Sequence, residues 1–194
     1  MTDQFDEQTG EIIAPGQSIS VVDNAALATL ARVEIDQQIA TARAYPRSID
    51  RAVKNIVALA TLDEETAESC CYALVRKGKQ RGPGGEENKP IEGPSIRLAE
   101  IALTQWGNAR VNAHTVEVNR VEKFVRAEGT FHDLESNVAI KKSVRRRIST
   151  KSGGLFSDDM IGVTENAACA IAKRNAILAG VPRCIYRPAY AKAR

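Results

Sequence analysis

The chain has 194 residues, of which 43 % are hydrophobic, 26 % charged and 5 % aromatic, the make-up of an ordinary globular domain rather than a disordered or fibrous one. No apolar run approaches the ~20 residues of a membrane-spanning helix, and Met1–Gly10 is acidic where a secretory leader would be basic and then apolar, so a cytoplasmic protein with no membrane partner is expected. The formal net charge of +3 is unevenly spread, because residues 1–40 hold seven acids and one base while the rest hold 26 bases against 17 acids. A basic body behind an acidic leading segment points to a polyanionic partner, with the acidic arm as a competitor for the same surface.

Residues 1–22 mix polar, Gly and Pro residues without periodicity and read as a mobile arm. From Asp23 or Asn24 a helix is predicted, with Leu27, Leu30, Ala31, Ile35 and Ile39 at three- and four-residue steps until Tyr45-Pro46 breaks it. Ser48 starts a second helix with Ile49, Val53, Ile56, Val57 and Ala60 on one face, and Thr61-Leu62-Asp63-Glu64 reads as a capping box that starts a third. Cys71–Val75 is short and β-prone and runs into a Gly-rich basic stretch, residues 77–89, that reads as an exposed loop. That stretch lacks the Gly-Lys-Ser/Thr ending of a phosphate-binding loop, which argues against a nucleotide pocket. Pro94 is placed at the first turn of a helix carrying Ile96, Ala99, Leu103 and Trp106, ended by Gly107-Asn108.

From Ala109 to Ile148 the apolar period changes to two, and three strands are predicted over 109–118, 124–131 and 138–148, with a short fourth near Leu155-Phe156. A last helix over about 164–179 carries Ala168, Ile171, Ala172 and Leu178 and stops at Gly180 and Pro182. The expected fold class is therefore α+β: N-terminal helices, then a helix, a three- to four-stranded antiparallel meander and a helix. One domain over 23–181 is expected, followed by a short basic tail, 182–194.

The third strand is the most informative segment. Alternation puts Lys141, Ser143, Arg145 and Arg147 on one face, and Val138, Ile140, Val144 and Ile148 on the other, interrupted by Lys142 and Arg146. Neighbouring strands add Arg126 and Arg110. Five bases within seven residues suit the regular phosphates of a nucleic-acid strand better than simple protection of a sheet edge. Only nine aromatics are present, and Phe124, Phe131 and Trp106 fall where a core would use them, so the expected contact is with the backbone and carries little sequence preference. The rival chemistry is a metal-dependent nuclease using Asp158, Asp159 and Glu165, although acids at a helix start are also favoured by its dipole. His114 and His132 read as strand-surface residues. Cys70, Cys71, Cys169 and Cys184 fit no disulfide framework or paired zinc site and are expected reduced and mostly buried, with Cys70-Cys71 packed at a helix-to-strand junction.

The order of elements, the segment Ile91-Glu92-Gly93-Pro94-Ser95-Ile96-Arg97-Leu98-Ala99-Glu100, the Trp106-Gly107-Asn108 step and the Ala168, Ala172, Ala176 spacing with Arg174 together resemble the core of the single-strand annealing proteins. That superfamily includes the phage Red-beta, RecT and Erf proteins and the eukaryotic annealing proteins of double-strand-break repair, and about residues 90–181 are similar to prophage-encoded proteins placed within it. The resemblance implies ATP-independent annealing of complementary single-stranded DNA in phage recombination, non-enzymatic and magnesium-assisted or metal-independent, by a ring or helical filament of many copies. It implies a basic groove between sheet and helix, carried here by Lys141, Lys142, Arg145, Arg146, Arg147, Lys173 and Arg174, with Arg126 beside them. Arg97 is a further candidate, with pairing to Glu100 as its simpler role. No catalytic or metal-ligating residues and no required cofactor are expected on this reading. A partner exonuclease or host single-strand-binding protein is implied, although the loop at 77–89 and the short C-terminal tail depart from the family. The remaining alternative is a small phage protein that binds or inhibits another protein.

Overall fold

A computed structural model of the chain describes residues 4–5, 12–13, 24–74 and 90–194. The expected loop at 77–89 lies outside the described residues, as does most of the expected arm. The chain divides into two compact units, Met1–Gln37 and Gln38–Arg194. In the first, β1 (Gln4–Phe5) pairs antiparallel with β2 (Ile12–Ile13), and α1 (Asn24–Ala44) begins. Leu27, Leu30 and Val33 of α1 are exposed, and Ala42 is its one buried residue among those described, so the apolar stripe predicted for this helix is not a core face.

The second unit opens with α2 (Ile49–Ala60), whose Ser48 side chain accepts from the Arg51 amide as the spacing predicts. The next cap differs from the expected box. Asp63, not Thr61, caps α3 (Glu64–Ser69), accepting from the Thr66 amide at 2.7 Å, while the Thr61 hydroxyl donates back to Val57 at the end of α2. β3 (Cys71–Leu74) pairs antiparallel with β4 (Ile91–Pro94). Pro94 therefore closes a strand, and the cap of α4 (Ile96–Trp106) is Ser95, whose hydroxyl accepts from the Arg97 and Leu98 amides and donates to the Ser69 carbonyl at 2.6 Å. Gly107, at φ 66°, turns the chain out of α4 in a backbone region that other residues rarely adopt.

The meander follows as β5 (Ala109–Asn119), β6 (Phe124–Asp133) and β7 (Val138–Arg147), in spatial order β5-β6-β7 with both pairs antiparallel. The expected fourth strand is a single bridge, Ser149 to Leu155. A register shift between Thr115 and Glu117 marks a bulge in β5. Then α5 (Asp158–Gly180), capped by Ser157 and longer than its apolar stripe predicts, crosses the sheet. From Ile161 to Ala172 it buries Ile161, Ala168 and Ala172 against Val125, Ala127 and Ile148. Its last two turns deliver Ala176 and Ile177 to a separate core with Ile56, Leu98 and Phe131.

The expected tail at 182–194 is a correction. Residues Arg183–Ala193 form α6, which lies on α2 and buries Ile185, Tyr186 and Ala189 in the same core. Pro182 starts this helix rather than ending all structure, and Pro188 within it masks the helical signal. The architecture is α+β as expected, with one face of the sheet covered by α5.

Candidate nucleic-acid interface

Pairing register decides which face of the sheet each cation occupies. Val125, Ala127 and Phe131 of β6 are buried, and their partners on β7 are Arg146, Val144 and Ile140. Lys142 sits opposite Gly129, on the same side. A Cβ at Gly129 would overlap the Ala172 carbonyl, so the backbone of α5 rests on β6 beside Lys142. Lys142 and Arg146 are exposed, four residues and about 13 Å apart along β7, the edge strand. The opposite, open face carries Lys141, Ser143, Arg145 and Arg147, opposite Thr130, Glu128, Arg126 and Phe124. Alternation within β7 thus matches the sequence reading.

The open face is not purely cationic, because three glutamates are interleaved with it. Lys141 pairs with Glu128 at 3.0 Å, Arg145 with Glu122 at 3.2 Å and Arg126 with Glu117 at 2.8 Å. Arg145 also lies over the Phe124 ring, 3.6 Å from its centroid, and Phe124 is only 8 % exposed beneath it. By contrast Lys142, Arg146 and Arg147 make no ion pair among the described residues. Glu117, Glu122 and Glu128 were missed as part of the site. Their charges are plain in the sequence, but the bulge after Thr115 and the β5–β6 turn that holds Glu122 decide that they meet these cations.

The other expected cations point elsewhere. Lys173 of α5 donates to Glu100 of α4 at 2.8 Å, and Arg97 reaches the same carboxylate at 3.3 Å. The hydrogen bond from Lys173 holds the Glu100 carboxyl below its ordinary range, ahead of the opposing effect of burial. Arg174 stacks over Tyr72 of β3 at 4.9 Å and donates to Asn175. The structure therefore brings the β7 cations together with Arg126, and directs Lys173, Arg97 and Arg174 toward α4 and β3.

Among the described residues the acids of the rival chemistry are not gathered into one group. Asp158, at the start of α5, pairs with Arg120 at 2.6 Å, and no group of three or more potential metal ligands occurs among the described residues. His132 bonds Asn137 at 2.9 Å, and His132 and His114 both belong to the open-face register. Burial pushes the Cys70 and Cys71 thiols up, away from thiolate reactivity. Cys70 is buried, Cys71 and Cys169 are half-buried and Cys184 is exposed on α6, so burial holds for fewer of the four than expected.

A second polar constellation went unread in the sequence. The Arg47 guanidinium, 9 % exposed, donates to Asp133 and Glu135 at 2.5 and 2.8 Å and lies 4.2 Å over the Trp106 ring. Trp106 Nε1 donates to Asp133 at 3.2 Å, and Asn108 bridges Glu135 to the Tyr45 carbonyl. Burial pushes the Asp133 carboxyl up, but donors from Arg47, the Ser136 amide and Trp106, with the Arg47 charge, outweigh it and bring it down to about 2. These groups form one wall of a cleft of about 450 Å³, whose apolar wall is Ile49, Phe131, Val138, Ile140 and Pro182. Because Arg47 and both carboxylates satisfy one another, this is a tie between the α1–α2 connection, α4 and the β6–β7 turn. Among the described residues no helix is long and apolar enough to cross a membrane. Comparison of the chain with protein-family models, with curated proteins and with solved structures finds no match in any of the three.

Proposed function

We propose that this protein binds single-stranded DNA by its phosphates along β7 and, as an assembly of many copies, anneals complementary strands without ATP hydrolysis. The observation that carries the reading is the edge strand itself. Five exposed cations occupy seven residues of β7, and Lys142, Arg146 and Arg147 hold no protein counter-charge among the described residues. An extended strand presents cations at regular spacing, which matches a regular polyanion, and each phosphate contact releases condensed counterions. Side-chain cations without an array of exposed rings favour backbone contact over base readout, leaving bases available for pairing. The extension from binding to annealing, and the many-copy assembly, rest on the resemblance described above.

Two labelled complementary oligonucleotides mixed with the protein, with and without magnesium and across salt, test the reading when the same samples are run on a denaturing gel. Faster pairing with intact strands, weakening as salt rises, is expected. The variant Lys142→Glu/Arg146→Glu/Arg147→Glu should abolish the acceleration. Shortened strands would replace the reading with the nuclease alternative, and no binding at low salt would overturn it.

A further inference from the structure

We infer that Glu117, Glu122 and Glu128 determine which face of the sheet a bound strand follows, by neutralising Arg126, Arg145 and Lys141 on the open face and leaving the α5-side edge of β7, with Arg147 at its end, as the phosphate path. The inference rests on the phosphate-binding reading of β7 and adds to it the residues that choose between its two faces. Alternation alone gives the open face the greater charge: Lys141, Arg145 and Arg147 with Arg126 opposite, against Lys142 and Arg146 on the other. Ion pairing reverses that bias. Lys141 and Arg145 each have a carboxylate within 3.2 Å, and neighbouring Arg126 has one at 2.8 Å.

A phosphate approaching the open face must displace a carboxylate already in place, and that carboxylate remains tethered nearby. At physiological ionic strength charges are screened over ~8 Å, so a displaced glutamate still repels the phosphate that displaced it. Glu128 and Glu117, with side chains 28 % and 35 % exposed, sit within the sheet and have little room to retreat. Glu122 is freer, at 62 %, but its partner Arg145 is also seated on Phe124. The same stacking covers Phe124, the one phenyl ring that β6 offers on the open face. Lys142 and Arg146, and Arg147 at the end of the strand, meet a phosphate without any such exchange.

Salt dependence reads this directly, because the logarithm of the binding constant for a single strand falls against the logarithm of salt with a slope of about −0.7 per cation engaged. The probe is a fluorescent oligothymidylate short enough to occupy one protomer, titrated by anisotropy from about 50 to about 200 mM salt. Lys142 and Arg146 with Arg147 give a slope of about −2, and engagement of Lys141, Arg145 and Arg126 as well would give about −4. Glu122→Gln/Glu128→Gln, which frees Lys141 and Arg145, should bind more tightly at low salt and steepen the slope by about 1.4, an extra loss of about sevenfold across that range. Lys142→Gln/Arg146→Gln should flatten the slope by the same amount. An unchanged slope in the glutamate variant, or in Lys142→Gln/Arg146→Gln, would overturn this inference while leaving phosphate binding intact. Absence of any salt-dependent binding by the parent protein would overturn both.

Discussion

Arg47 donates to two carboxylates while its guanidinium covers an indole, and no lysine can reproduce that planar fork. Removing one partner of such a buried pair strands the other, at a cost of about 3–5 kcal/mol. Arg47→Lys and Asp133→Asn are therefore both expected to lower the urea midpoint substantially, and a change below about 1 kcal/mol in either would show that the tie is not structural. The same contacts set a pH window. The Asp133 carboxyl falls from an unfolded value of ~3.9 to about 2 in the fold, so its contribution is complete above about pH 4 and is lost as pH drops through 2. A fall of that size corresponds to roughly 2–3 kcal/mol, which Asp133→Asn should remove from the acid limb of a stability-against-pH curve. None of this was legible in the sequence, because Arg47 and Asp133 are 86 residues apart and neither belongs to a motif.

Among the elements, the contact between α5 and the sheet depends on the absence of a side chain at Gly129. A Cβ there would overlap the Ala172 carbonyl, a backbone atom held within a helix that cannot step aside cheaply. Gly129→Ala should destabilise the protein by about 1–3 kcal/mol, measured by denaturant unfolding, and should disturb Lys142 directly opposite. A neutral substitution would mean that α5 can lift from β6. The strands were legible, because alternation survives whatever packs on them, and β5, β6 and β7 fall within two residues of their predicted ends. Helix faces were less so. In α4 the buried residues are Leu98, Ala99, Ala102 and Trp106, and Leu103 packs half-buried against the same core, so of the expected stripe only Ile96 gives way to its neighbours.

Across the whole molecule, α6 closes a core shared by α2, α4 and the end of α5. Burial of Ile185 alone is worth about 1.5–3 kcal/mol, and Tyr186 and Ala189 add to it, against a total of only ~5–15 kcal/mol for a domain of this kind. A chain ending at residue 181 would keep every cation of β7 but is expected to lose cooperative unfolding and to aggregate. Retention of a sharp thermal transition by that truncation would contradict the place given to α6.

What the sequence by itself determined is whatever depends on neighbours along the chain: the α+β order, the cap at Ser48, the three strands, and the division of β7 into Lys141, Arg145 and Arg147 against Lys142 and Arg146. Those follow from backbone periodicity and local hydrogen bonding, which act over a few residues. Only the tertiary structure decided which of the β7 cations remain unpaired. That outcome requires Glu117, Glu122 and Glu128 to be brought to them by strand register, a bulge and a turn, just as α4 and β3 draw Lys173 and Arg174 aside. A charge's sign is local, but its availability depends on every opposite charge that folding places within reach.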